Sequence, residues 1–142
     1  MTSIPDYMTA KHRECDEVFS LAESNAAAGD WLLAAENWQA FKDELLAHFG
    51  QEEETLFPAF EQTTGMTGGP THVMRMEHQQ MRALVQELDQ AMISQNKDTY
   101  LGLSETLIVM MQQHNMKEEM MLYPMMEKHL PQGEDIIESF KA

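Results

Sequence analysis

Cysteine is almost missing from this chain: Cys15 stands alone among 142 residues and cannot close an internal disulfide. Basic residues are also scarce. Nine Lys and Arg against 24 Asp and Glu leave a formal net charge of -15, and the cations are scattered, which speaks against a nucleic-acid or anionic-membrane partner. No uninterrupted apolar run is long enough to span a bilayer. The opening M-T-S-I-P-D-Y lacks the basic start and apolar stretch of a secretion signal, so the expected compartment is the reducing cytoplasm. No phosphate-binding glycine loop or substrate-cleft pattern occurs, which favours a binding protein over an enzyme.

Proline and glycine are confined to a few places: Pro5, Gly29, Gly65 to Pro70 and Pro131 to Gly133, with Gly50, Pro58, Gly102 and Pro124 inside longer segments. Between these breaks, and a polar one at Ser94 to Asp98, lie segments rich in Ala, Leu, Met, Glu and Gln, which favour helix. Capping by Asp6 or Thr9, Asp30, Thr71 and Asp98 predicts four helices over 7-28, 31-62, 71-94 and 98-130. Short connections predict an all-α, up-down-up-down antiparallel four-helix bundle in one domain. Ile136, Ile137 and Phe140 predict a short C-terminal helix docked on it.

The chain contains one unit twice. Residues 48-61, H-F-G-Q-E-E-E-T-L-F-P-A-F-E, and 114-127, H-N-M-K-E-E-M-M-L-Y-P-M-M-E, share six of fourteen positions. The offset of 66 also places His12 on His78, each 36 residues before the second histidine of its unit. The midpoints, 30 and 96, fall in the two hairpin turns, so His12 lies level with His48 and His78 with His114. In each H-x-x-x-E the glutamate follows one turn later, about 40° round the axis. Four imidazoles and the carboxylates of Glu52 and Glu118 therefore converge on the bundle interior. Six donors exceed a tetrahedral zinc site, and their two-fold arrangement suits two cations with bridging carboxylates. Nitrogen mixed with carboxylate oxygen suits iron better than magnesium or calcium. Pro58 and Pro124 should kink or end their helices beyond the site, which should itself stay on regular helix.

The paired H-x-x-x-E-E-x-x-L-[FY]-P-x-x-E and Glu77-His78 resemble the hemerythrin, or HHE cation-binding, family from His12 to about Pro131. The resemblance implies a four-helix bundle holding two iron ions with an oxo or hydroxo bridge. It implies His12, His48, His78 and His114 as terminal ligands and Glu52 and Glu118 as bridges. Oxygen-carrying members use a fifth histidine where Met74 stands here, and His72 lies about 120° off the His78 face. The four-histidine set is more similar to di-iron proteins implicated in iron-sulfur cluster repair. Those usually carry a cysteine-containing segment ahead of the bundle, and residues 1-11 here contain no cysteine.

Around the site, Cys15 is expected to face the interior close to the metals, either as a small hydrophobe or with a functional role beside the centre. Asp16 and Arg82 share a repeat position, either paired with each other or bonded to the outer nitrogen of a histidine. Met81, Met110, Met111 and Met121 fall on site-facing positions, either as core filler or as a water-poor pocket for a small apolar molecule. Glu53 and Glu119 point about 140° from their own histidines, as solvated or interhelical charges. The leading expectation is reversible binding or sensing of O2 or NO. The alternatives are iron storage or donation to a protein acceptor, and a redox enzyme consuming peroxide, O2 or NO.

Overall fold

The computed structural model describes residues 2-141, and its regular structure among them is helical. The helices are α1 (Ile4–Ala27), α2 (Trp31–Gln51), α3 (Phe57–Thr64), α4 (Pro70–Ser94), α5 (Lys97–Lys117), α6 (Tyr123–His129) and α7 (Gly133–Lys141). α2 runs into α3 through a π-helical turn over Glu52–Leu56, and α5 into α6 through another over Glu118–Leu122. Four long rods result. α1 packs on α2, α2 on α4, α4 on α5 and α5 back on α1, which closes the expected antiparallel bundle.

Three helix starts differ from the residues expected to cap them. Ser3, not Asp6 or Thr9, caps α1 by accepting the Asp6 N–H at 3.1 Å, because Pro5 is tolerated in a first helical turn that needs no N–H from it. Asn96, not Asp98, caps α5 at Thr99 N–H, whereas Asp30 caps α2 as expected. Thr71 lies inside α4 and donates its hydroxyl to Glu61 at 2.6 Å. The last glutamate of each repeat thereby serves the other half: Glu61 sits at the start of α4 and Glu127 accepts Ile4 N–H at the start of α1. A carboxylate there complements the positive end of the helix dipole.

The two π turns correct the expectation of regular helix through the site. Pro58 and Pro124 have no N–H for the carbonyls of Glu54 and Met120, and the ladder widens just before each: Phe57 N–H bonds Glu52 C=O, and Tyr123 N–H bonds Glu118 C=O. The extra residue shifts the buried stripe by one position. Phe57 with Phe60, and Tyr123 with Met126, are fully buried, where unbroken helix would bury Ala59 and Met125. Met121 is swung outward and is 64% exposed, which removes it from the expected site-facing set.

The interior is layered. One apolar cluster, including Cys15, Phe19, Phe41, Leu45, Met81 and Met111, fills the bundle toward the hairpin turns. A second, including Ile4, Met8, Phe57, Phe60, Met74 and Met126, fills the other end, with α7 docked there through Ile137 and, partly, Ile136 and Phe140. The histidines lie in sequence between the two layers: Met8 and Cys15 bracket His12, and Met74 and Met81 bracket His78. Truncating the fully buried Ile137 to Ala should cost about 2–5 kcal/mol of unfolding free energy. Urea titration of wild type and variant measures it; a change below about 0.5 kcal/mol would show that α7 does not dock.

Candidate metal centre

The structure brings all six expected residues into one buried layer. His12, His48, His78 and His114 are at most 4% exposed, and Glu52 and Glu118 are 0% exposed. Their donor atoms form two groups, each within 4.8 Å mutually: Glu52, His78, His114 and Glu118, and His12, His48 and Glu118. Each carboxylate spans both groups: Glu118 Oε1 lies 3.1 Å from His12 Nε2 and 3.3 Å from His114 Nε2, and Glu52 Oε1 lies 3.2 Å from His78 Nε2 and 3.6 Å from His48 Nε2. Several inward atoms lack any hydrogen bond despite their burial, namely Glu52 Oε1, Glu118 Oε2, His78 Nε2 and His114 Nε2. His78 Nε2 stands only 3.2 Å from Glu52 Oε1 without bonding it. Unpaired buried groups of this kind are costly, and a shared cation is the partner that nitrogen and carboxylate lone pairs would both accept.

Titration in the metal-free state reflects crowding. Burial, reinforced by the neighbouring imidazole of His12, pushes His48 down to about 3, and burial with His114 pushes His78 down to about 4. Burial works against charge on His12 too, but hydrogen bonds to Glu118 and Glu119 outweigh it and raise this histidine. His114 is raised likewise, as Glu118 and Glu77 overcome its burial. Glu52 is raised by burial and by Glu118, while Glu118, despite its burial, is lowered by Glu52 and His114, so the pair retains one proton. The Tyr123 hydroxyl lies 2.8 Å from Glu52 Oε2 and 3.0 Å from Glu118 Oε1.

Tyr123 is the site residue that sequence reasoning missed. Its spacing from His114 places it off the helix stripe, and only the π turn rotates it inward. The weak signal was its alignment with Phe57, an aromatic at the same repeat position. Glu53 and Glu119 resolve as interhelical charges, and they grip histidines. Glu53 accepts His78 Nδ1–H and Glu119 accepts His12 Nδ1–H, each at 2.6 Å, while Glu77 accepts His114 Nδ1–H at 2.8 Å. An Nδ1–H committed outward leaves the Nε2 lone pair facing the site.

Arg82 does not pair with Asp16. It grips Glu53 at 2.8 and 2.9 Å and so acts on His78 through that carboxylate, while Asp16 Oδ1 is buried without a partner. The guanidinium of Arg82 also lies over Phe49, whose ring stacks on His78 at 3.9 Å. Met74, Met81 and Met111 are buried in the apolar layers, and Met110 packs on one of them from a half-buried position. Cys15 is core, as expected; burial, with Glu44 nearby, pushes its thiol up to about 12 and keeps it protonated. His72 and His129 are exposed.

A family model described as the Hemerythrin HHE cation binding domain matches residues 3–126. Searches of curated proteins and of solved structures returned no match.

The shifts define a pH dependence for the metal-free protein. His48 and His78, depressed in the fold, stabilise it above the ordinary value of 6.5, and that contribution is lost as pH falls toward about 4 and 3. His12 and His114, raised in the fold, contribute fully below 6.5 and lose their contribution as pH rises through their folded values. Stability should therefore peak near pH 6.5 and fall on both sides. Thermal melts of chelator-treated protein from pH 4 to 9 measure this; a monotonic rise with pH would contradict the assigned shifts.

Proposed function

The chain belongs to the hemerythrin family of HHE cation-binding domains, and from that premise we propose that it holds two iron ions and uses them to bind or sense O2 or NO reversibly. The observation that carries this reading is the pair of donor groups sharing Glu118 in a layer closed above and below by apolar side chains. His12, His48, His78 and His114 would be the terminal ligands and Glu52 and Glu118 the bridging carboxylates. Mixed imidazole and carboxylate donors suit iron, and an iron pair with open coordination positions supplies redox-active affinity for a diatomic gas.

The chain's own residues prepare that chemistry. Glu53, Glu77 and Glu119 hold three histidines in the tautomer that points Nε2 inward. Tyr123 keeps a proton on its hydroxyl beside Glu52 and Glu118, because burial and those two carboxylates push its ionisation well up. It is thus a hydrogen-bond donor at the site. Phe49 and Phe57 wall off His78, and the apolar layers exclude the water that would carry a reduced product away.

Anaerobic reconstitution should load two iron equivalents, and the reduced protein should show a spectral change on O2 or NO that reverses under vacuum. His114→Ala and Glu118→Ala should each lose at least one equivalent. Unchanged metal content in both would refute the ligand assignment, and sustained consumption of the gas in place of reversal would replace binding by catalysis. Removing metal should lower the melting temperature, because binding restricted to the folded state adds to its stability; equal melting points would count against the site.

A further inference from the structure

The 66-residue repeat allows the outer contact of each histidine to be compared with its counterpart, and the two halves differ. His78 is held by Glu53, which Arg82 grips with both nitrogens. His114 is held by Glu77, to which Lys117 donates. Each of these histidines thus has a carboxylate behind it and a cation behind the carboxylate. On the other side His12 is held by Glu119, but the position equivalent to Arg82 is Asp16, a second acid with an unpartnered buried oxygen. His48 fares worse. Its Nδ1 is buried with no partner, the position equivalent to Glu77 is Lys11, and the position equivalent to Lys117 is Gln51. The Lys11 ammonium turns away to Glu14 at 3.1 Å. Lys11, Gln51 and His48 share the wall of a cavity of about 160 Å³ with Cys15 and Glu44.

We infer that the two cation positions are unequal. The ion on the His78 and His114 side binds first and is retained; the ion on the His12 and His48 side is the exchangeable one, and the cavity beside His48 is its route. This rests on the metal-binding reading above. An outer carboxylate fixes the ring and raises the basicity of the ligating nitrogen, and losing one typically costs 10–100-fold in metal affinity. Lys11 also places a positive charge on the side where the other half has a negative one. Glu52 Oε1 lies 3.6 Å from His48 Nε2 and 3.2 Å from His78 Nε2, and Glu118 Oε1 lies 3.1 Å from His12 Nε2 and 3.3 Å from His114 Nε2, so the inner carboxylates do not separate the positions. The outer contacts do.

The test is anaerobic titration of the metal-free full chain with Fe(II) against a chromogenic chelator, with iron counted by elemental analysis. Two steps are expected, the first roughly tenfold or more tighter than the second, and the chelator should strip one equivalent well before the other. His12→Ala should keep the tight step and His78→Ala should lose it. Lys11→Glu, which places a carboxylate where Glu77 stands in the other half, should slow release of the exchangeable ion by about tenfold. Glu77→Gln should make the retained ion exchangeable. Circular dichroism and melting checks that each variant is folded. Two equivalents of indistinguishable affinity in the wild type would overturn the inference, as would an unchanged release pattern in folded Lys11→Glu or folded Glu77→Gln. Wild type that retains no iron would instead bring down the metal-binding reading itself.

Discussion

Two carboxyl groups, Glu52 and Glu118, face one another in a space that water does not reach, surrounded by four imidazoles. Carboxylates in such a place must either keep a proton or find a cation. Without metal they keep one between them, steadied by the Tyr123 hydroxyl. With metal, the same oxygens and the inward histidine nitrogens have a common partner. The rest of the bundle follows from this constraint. The apolar layers on either side fix the helices and exclude solvent, so the polar layer is held in register without being built from hydrogen bonds alone.

The prolines are part of the same arrangement. A proline four residues inside a helix forfeits a hydrogen bond and forces a choice between breaking the rod and widening it. Here each rod widens at its glutamate, over Glu52–Leu56 and Glu118–Leu122, and continues. Widening rotates the following residues, which sends Met121 to the surface and turns Tyr123 into the site. Phe57 takes the equivalent place in the first half and stacks toward His78. One backbone device thus puts a hydroxyl on one side of the centre and a plain ring on the other.

Charge is arranged in shells. The net charge of -15 includes acids that do specific work: Glu53, Glu77 and Glu119 reach across to histidines of other helices, Glu127 accepts the Ile4 N–H at the start of α1, and Glu61 accepts the Thr71 hydroxyl at the start of α4. The scarce cations are placed with equal economy. Arg82 steadies Glu53 and Lys117 steadies Glu77 behind the second half's histidines, and Arg75 steadies Glu61 at the start of α4. The repeat supplies a symmetric frame, and Lys11, Asp16 and Gln51, which stand where the other half has Glu77, Arg82 and Lys117, depart from it on one side.

The helical hairpins, their antiparallel order and the six converging residues were legible in the chain itself. Spacings of three and four place His48 with Glu52, and His114 with Glu118, on one face whatever the partners, and the 66-residue offset duplicates that face. This information is local, carried by the rise and rotation of a single helix. What folding alone decided depends on where one helix stands against another: which outer carboxylate meets which imidazole, and which histidine meets none. Glu53 pointed away from His48, its own neighbour in sequence; only the packing of α4 beside α2 placed His78 within its reach. Tyr123 needed the widened turn as well, because a periodicity of 3.6 residues cannot register an extra residue that the backbone absorbs.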